Sequence, residues 1–95
     1  MKHTITVILL VLLSAQLVYA ASMAARYVNR DDKNDYITLE SNRTFALQEK
    51  GLSLHGKYSI DGDTLTLTFD DGETATGTIK ENTLIDNEGQ VWLKE

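Results

Sequence analysis

His55 is the one histidine after residue 20, and on a period-two count it shares a face with Ser53, Lys57 and Ser59. Imidazole is the commonest general base, and a hydroxyl within its reach could be activated as a nucleophile. That chemistry also needs a carboxylate to orient the ring and a cleft to hold a substrate. Alternating serines on a solvent-facing strand are ordinary. His55 therefore reads as a surface residue, and no catalytic residue is assigned. Asp31-Asp32, Asp61 with Asp63, and Asp70-Asp71 raise the question of calcium, an ion that gathers several oxygen ligands. None of these groups has the EF-hand spacing of glycine and glutamate. Asp beside Gly in a short loop is already explained by turn geometry. No metal and no cofactor is expected.

Thr64, Thr66, Thr68, Thr74, Thr76 and Thr78 should form a two-strand array of hydroxyls and methyls. Such an array could meet an ordered surface such as ice or a polysaccharide. A small sheet twists, however, and threonine is a favoured residue of solvent-facing strands. Trp92, with Tyr27, Tyr36 and Tyr58, could line a pocket or plug a small core. If the interior takes a ligand, Phe45, Tyr58 and Trp92 are the side chains expected to line it. Parity sets Trp92 opposite Leu84 on the core side and leaves Ile85, Val91 and Leu93 on the other face. Those three make an apolar patch that needs a cover: the 21–27 segment, a second subunit or a partner protein.

These residues can meet only if the chain supplies elements to hold them. It has 95 residues, 42% apolar and 24% charged, with no cysteine and no proline. That length allows one domain. The absence of cysteine excludes disulfides, thiolate metal sites, iron–sulfur clusters and a cysteine nucleophile. A formal charge of −5 argues against nucleic acid as a partner. From Tyr27 onward the apolar period is two. Leu52, Leu54, Tyr58 and Ile60 alternate with polar residues, as do Leu65, Leu67 and Phe69, and then Ala75, Gly77 and Ile79. The class is all-β.

Turn chemistry recurs at short spacing. Asp61-Gly62 is the strongest two-residue hairpin signal. At Asp70-Asp71-Gly72 only a three-residue loop keeps both faces clean, pairing Thr68 with Thr74 and Leu67 with Ala75, with Gly72 left-handed in a bulge. The same parity puts Ser41-Asn42-Arg43 between Leu39 and Phe45, with Arg43 in the left-handed position. It also puts Asn87-Glu88-Gly89 between Ile85 and Val91, and Glu81-Asn82 between Ile79 and Leu84. About eight short strands in up-and-down order should curl into a small open barrel or half-barrel. Its core is expected to be Leu47, Leu54, Tyr58, Leu65, Leu67, Phe69, Ile79, Leu84 and Trp92, closely packed with only fragments of void.

Residues 1–20 have the layout of a secretory signal peptide: Lys2 and His3 at the start, an apolar run from Ile5 to Val18, and Val18-Tyr19-Ala20 at the cleavage position. The alternative is an uncleaved membrane anchor. A lipoprotein is excluded because no cysteine can be acylated. Cleavage after Ala20 leaves eight basic and fourteen acidic groups, a charge of −6. Residues 21–26 form a short lead and 27–95 the β-domain, which is expected to be secreted or periplasmic.

Tyr36-Ile37-x-Leu39, Thr44-Phe45-x-Leu47, Gly56-x-Tyr58-x-Ile60-Asp61-Gly62-Asp63-Thr64-Leu65 and Gly89-x-x-Trp92 together resemble the small secreted lipocalin-like β-meander domains of bacteria. The resemblance covers most of residues 27–94 and implies an envelope or extracellular domain with a small apolar pocket. The expected function is non-enzymatic: binding of a small apolar ligand or a protein partner in the envelope or outside the cell. The alternative is a structural or accessory module that self-associates and takes no ligand.

Overall fold

The computed structural model describes residues 24–95. Residues 1–20, the expected signal peptide, lie outside them. Eight strands follow one another: β1 (Ala25–Asn29), β2 (Tyr36–Leu39), β3 (Thr44–Glu49), β4 (Leu52–Asp61), β5 (Thr64–Phe69), β6 (Thr74–Lys80), β7 (Thr83–Asp86) and β8 (Val91–Lys94). Each pairs antiparallel with the next, and β1 also pairs with β8, so the meander closes into a barrel. Closure goes one step beyond an open or half-barrel. It depends on β1, which starts at Ala25 and sets Val28 opposite both Tyr36 and Leu93. A closed sheet has no edge strand left to aggregate.

The alternation of the sequence becomes inside and outside. Tyr27, Ile37, Leu39, Phe45, Leu47, Tyr58, Leu65, Leu67, Ile79, Leu84 and Trp92 form one buried core. The threonines of β5 and β6 face each other in three pairs, Thr64–Thr78, Thr66–Thr76 and Thr68–Thr74, on the outer surface. The three-residue loops fall where parity places them: Leu67 pairs with Ala75, Leu39 with Phe45, and Ile85 with Val91. Gly72, Gly89 and Arg43 take left-handed φ values of 93°, 83° and 70°. The β4–β5 loop is shifted by one residue from the Asp61-Gly62 signal. Asp61 pairs with Thr64, so Gly62-Asp63 makes the turn.

Two core expectations change. Leu54 is 37% exposed. The first four residues of β4 pair with β3 alone, because β5 ends with Phe69 opposite Gly56. The β3–β4 hairpin thus extends past the barrel rim, and Leu52 and Leu54 have no strand beyond them. Phe69 is half-buried at that same rim.

Candidate ligand-binding site

The loops of an up-and-down barrel alternate between its two ends. The β1–β2, β3–β4, β5–β6 and β7–β8 connections share one end, here the mouth, and the other three share the opposite end. An interior cavity of about 230 Å³ opens at the mouth. Its walls are Ile37, Leu47, Leu65, Leu67, Phe69, Leu84 and Trp92, and its rim carries Glu49, Asp86, Asn87 and Glu88. Beta-6 creates the space. Its inward positions are Ala75 and Gly77, opposite Leu67 and Leu65, so two consecutive inward sites carry almost no side chain. The interior is therefore not closely packed at this end, which corrects the expectation of void fragments only. An eight-stranded barrel is just wide enough to be filled by side chains or to hold one small ligand. Cavities of ~150 Å³ lined by Leu, Ile and Phe already bind benzene-sized molecules.

The opposite end is closed. The Tyr58 hydroxyl donates to the Glu40 carbonyl at 2.6 Å, tying β4 to the β2–β3 loop. Burial pushes its pKa up, Arg43 pulls it down, and Glu40 pushes it up. The Phe45 and Phe69 rings meet edge to face at 5.3 Å across Gly56. Trp92 borders this cavity, and Phe45 and Tyr58 lie in the buried core. Spacing alone does not say how deep along the barrel axis an inward residue sits.

The rim is held by its own hydrogen bonds. Asp86 accepts from the Glu88 and Gln90 backbone N–H groups through Oδ1 and from Trp92 Nε1 through Oδ2, at 2.9, 2.9 and 3.0 Å. This fixes the indole in the cavity wall. Buried Asp35 accepts the Lys50 N–H at 2.9 Å, and buried Asn29 donates through Nδ2 to Gln90 Oε1 at 2.8 Å. Glu49 differs. It is half-buried at the end of β3, and no donor or cation pairs with its carboxylate among the described residues. Burial raises its pKa, Asp35, Asp86 and Glu88 raise it further, and Lys50 opposes them. Sequence reading missed Glu49, Ala75, Gly77, Asp86 and Glu88. The detectable signal was Ala75-x-Gly77, two of the smallest residues at adjacent inward positions between leucine-rich strands.

His55 is exposed on the outside of the protruding hairpin. The neighbouring Ser53 hydroxyl donates to Gln48 Oε1 at 2.7 Å, away from the imidazole. Among the described residues no group of three or more His, Asp or Glu side chains is arranged to hold a metal ion. In the apolar patch, Ile85 and Leu93 are 43% and 44% exposed and Val91 is half-buried.

Compared with known proteins, residues 18–88 match the family model of a lipocalin-like domain. Among solved structures, the chain is similar to the protein Atu4866 from Agrobacterium tumefaciens, known from a solution structure. The TM-score is 0.67 at 21% identity, covering 77% of this chain and 94% of that one. At that identity the likeness is one of fold. No curated protein matches.

Proposed function

The chain belongs to the lipocalin-like domain family, and from that premise we propose that it is an exported, non-enzymatic protein that binds a small apolar ligand in the mouth of its barrel. The observation that carries this reading is the cavity of about 230 Å³ beneath Ala75 and Gly77, walled by aliphatic and aromatic side chains. It is smaller than the common range for drug-sized ligands. The ligand is accordingly a short chain or a single ring system. Each methylene it buries contributes about 0.8 kcal/mol, so a ligand of this size reaches useful affinity by burial. Export rests on the signal-peptide layout of residues 1–20 and is checked by intact mass of the exported protein, expected to begin at Ala21.

The test of binding is an NMR titration with octanol, comparing the parent with Ala75→Leu. A leucine at this inward position projects into the cavity and narrows it. Octanol should shift amides around Leu67, Gly77 and Trp92 in the parent and shift them much less in the variant. Equal shifts in both proteins would place the binding elsewhere and end this reading.

A second reading is favoured by the exposed apolar side chains of the patch. Val28 pairs with Leu93, so β1 and β8 together extend the surface of Ile85, Val91 and Leu93. In this reading that face contacts a protein partner or a second copy. Sedimentation of the parent and of Ile85→Lys/Leu93→Lys decides about self-association. A concentration-dependent mass in the parent, lost in the variant, supports it.

A further inference from the structure

The charge of the barrel is concentrated at the end where the cavity opens. Of the fourteen carboxylate side chains, nine stand on the mouth loops and adjoining strand ends: Asp31, Asp32, Asp35, Glu49, Asp70, Asp71, Glu73, Asp86 and Glu88. Arg30, Lys33 and Lys50 are the basic groups there, so the mouth carries −6. The strands and the opposite end hold five acidic and five basic groups and carry none of the net charge. A low-dielectric cleft ringed by one sign of charge focuses the field and raises the local concentration of the opposite sign.

Most of this acidity has a local role in loops, as Asp86 and Asp35 show. Glu49 does not fit that account. Glu49 belongs to the cavity lining beside apolar walls, and among the described residues no hydrogen bond or ion pair holds its carboxylate. The nearby cation, Lys50, forms no salt bridge with it among the described residues. A half-buried carboxylate without a direct ion pair is costly. Asp86 and Glu88, on the same rim, increase the cost. A ligand with a cationic head would remove it.

We propose that the ligand of this site is a cationic amphiphile, with a short apolar tail or ring in the cavity and an ammonium-type head at the rim against Glu49, with Asp86 and Glu88 beside it. This deepens the apolar-ligand reading and rests on it. The tail accounts for the walls and the head for the rim. An anionic amphiphile such as a fatty acid would be rejected by the same field. The opposite end of the barrel, closed by Tyr58 and without net charge, offers neither feature.

The experiment compares octylammonium, octanol and octanoate by calorimetry at pH 7, below their aggregation concentrations, with the parent, Glu49→Gln and Ala75→Leu. Octylammonium should bind the parent about tenfold more tightly than octanol, and octanoate most weakly. Glu49→Gln should bring the affinities for octylammonium and octanol to within about twofold of each other. Raising salt from about 20 to 300 mM should shrink the gap between octylammonium and octanol. Ala75→Leu should weaken the binding of all three. If octanol binds as well as octylammonium, or Glu49→Gln leaves their ratio unchanged, the cation preference is overturned and the apolar pocket stands. If none of the three binds, or if Ala75→Leu binds them as tightly as the parent, the pocket reading fails and the preference fails with it.

Discussion

Glu49 is the residue at which folding and binding make opposed demands. Its carboxyl is held above the usual carboxylate range, first by burial and then by Asp35, Asp86 and Glu88, with Lys50 opposing. The folded chain therefore keeps this proton to higher pH than the unfolded chain does. The contribution of Glu49 to stability is full below the ordinary value of 4.5 and is lost as pH rises through the raised folded value. Glu49→Gln, which never ionises, should be more stable than the parent at pH 7. Solvent screens a half-buried group, so the gain should stay below about 1 kcal/mol. Urea denaturation at pH 7 and again about one unit below the ordinary value measures it. The gain should vanish at the lower pH, and a gain independent of pH would mean that packing, not charge, had changed. Arg43 shows a different local cost. Its φ of 70° suits glycine, and the loop is pinned by Asn42, whose Oδ1 accepts from the Thr44 N–H at 3.2 Å and hydroxyl at 2.6 Å.

At the scale of elements, what could be read from the sequence was whatever parity controls. Loops of fixed length between alternating strands admit one register that keeps both faces clean, and Thr68–Thr74, Ile85–Val91 and Leu39–Phe45 follow from it. Parity gives the face of a residue but not its depth. For that reason the alternation of β4 puts Leu54 on the core face although β5 stops short of it and leaves it at the rim. The cavity comes from missing side chains on β6, a signal of volume rather than of pattern. Gly56 shows what depth adds. A Cβ there would collide with the Thr68 carbonyl oxygen and lie 2.8 Å from Phe45 Cε1 and 2.9 Å from Phe69 Cα. Gly56→Ala should cost about 1–3 kcal/mol as overpacking, read as a lower denaturation midpoint. Phe69→Ala should cost less than the ~3–5 kcal/mol of a closed core site, because Phe69 is half-buried and already borders open volume. A loss in that higher range would show the mouth to be packed shut in solution.

For the whole molecule, the separation of charge from structure matters most. One end of the barrel is closed by a buried tyrosine and has balanced charge; the other is open and carries all of the −6. Like charges on neighbouring loops repel, and mobile ions screen that repulsion within ~10 Å at about 0.1 M salt. The folded state brings the mouth loops together and the unfolded chain spreads them apart. Added salt should therefore stabilise the fold, a direction opposite to that expected if surface ion pairs dominated. Among the described residues the ion pairs Arg26–Glu95 at 3.7 Å and Arg30–Asp31 at 3.6 Å are exposed and too weak to reverse it. The thermal midpoint should rise between about 10 and 150 mM sodium chloride, by a few degrees for a domain of this size. Two charge-matched variants locate the effect. Glu49→Gln/Glu88→Gln removes two charges from the mouth and should flatten the salt dependence. Asp63→Asn/Glu81→Gln removes two from the balanced end and should leave it at least as steep. If both variants respond alike, the repulsion is spread over the molecule, and the mouth has no special field with which to select a ligand.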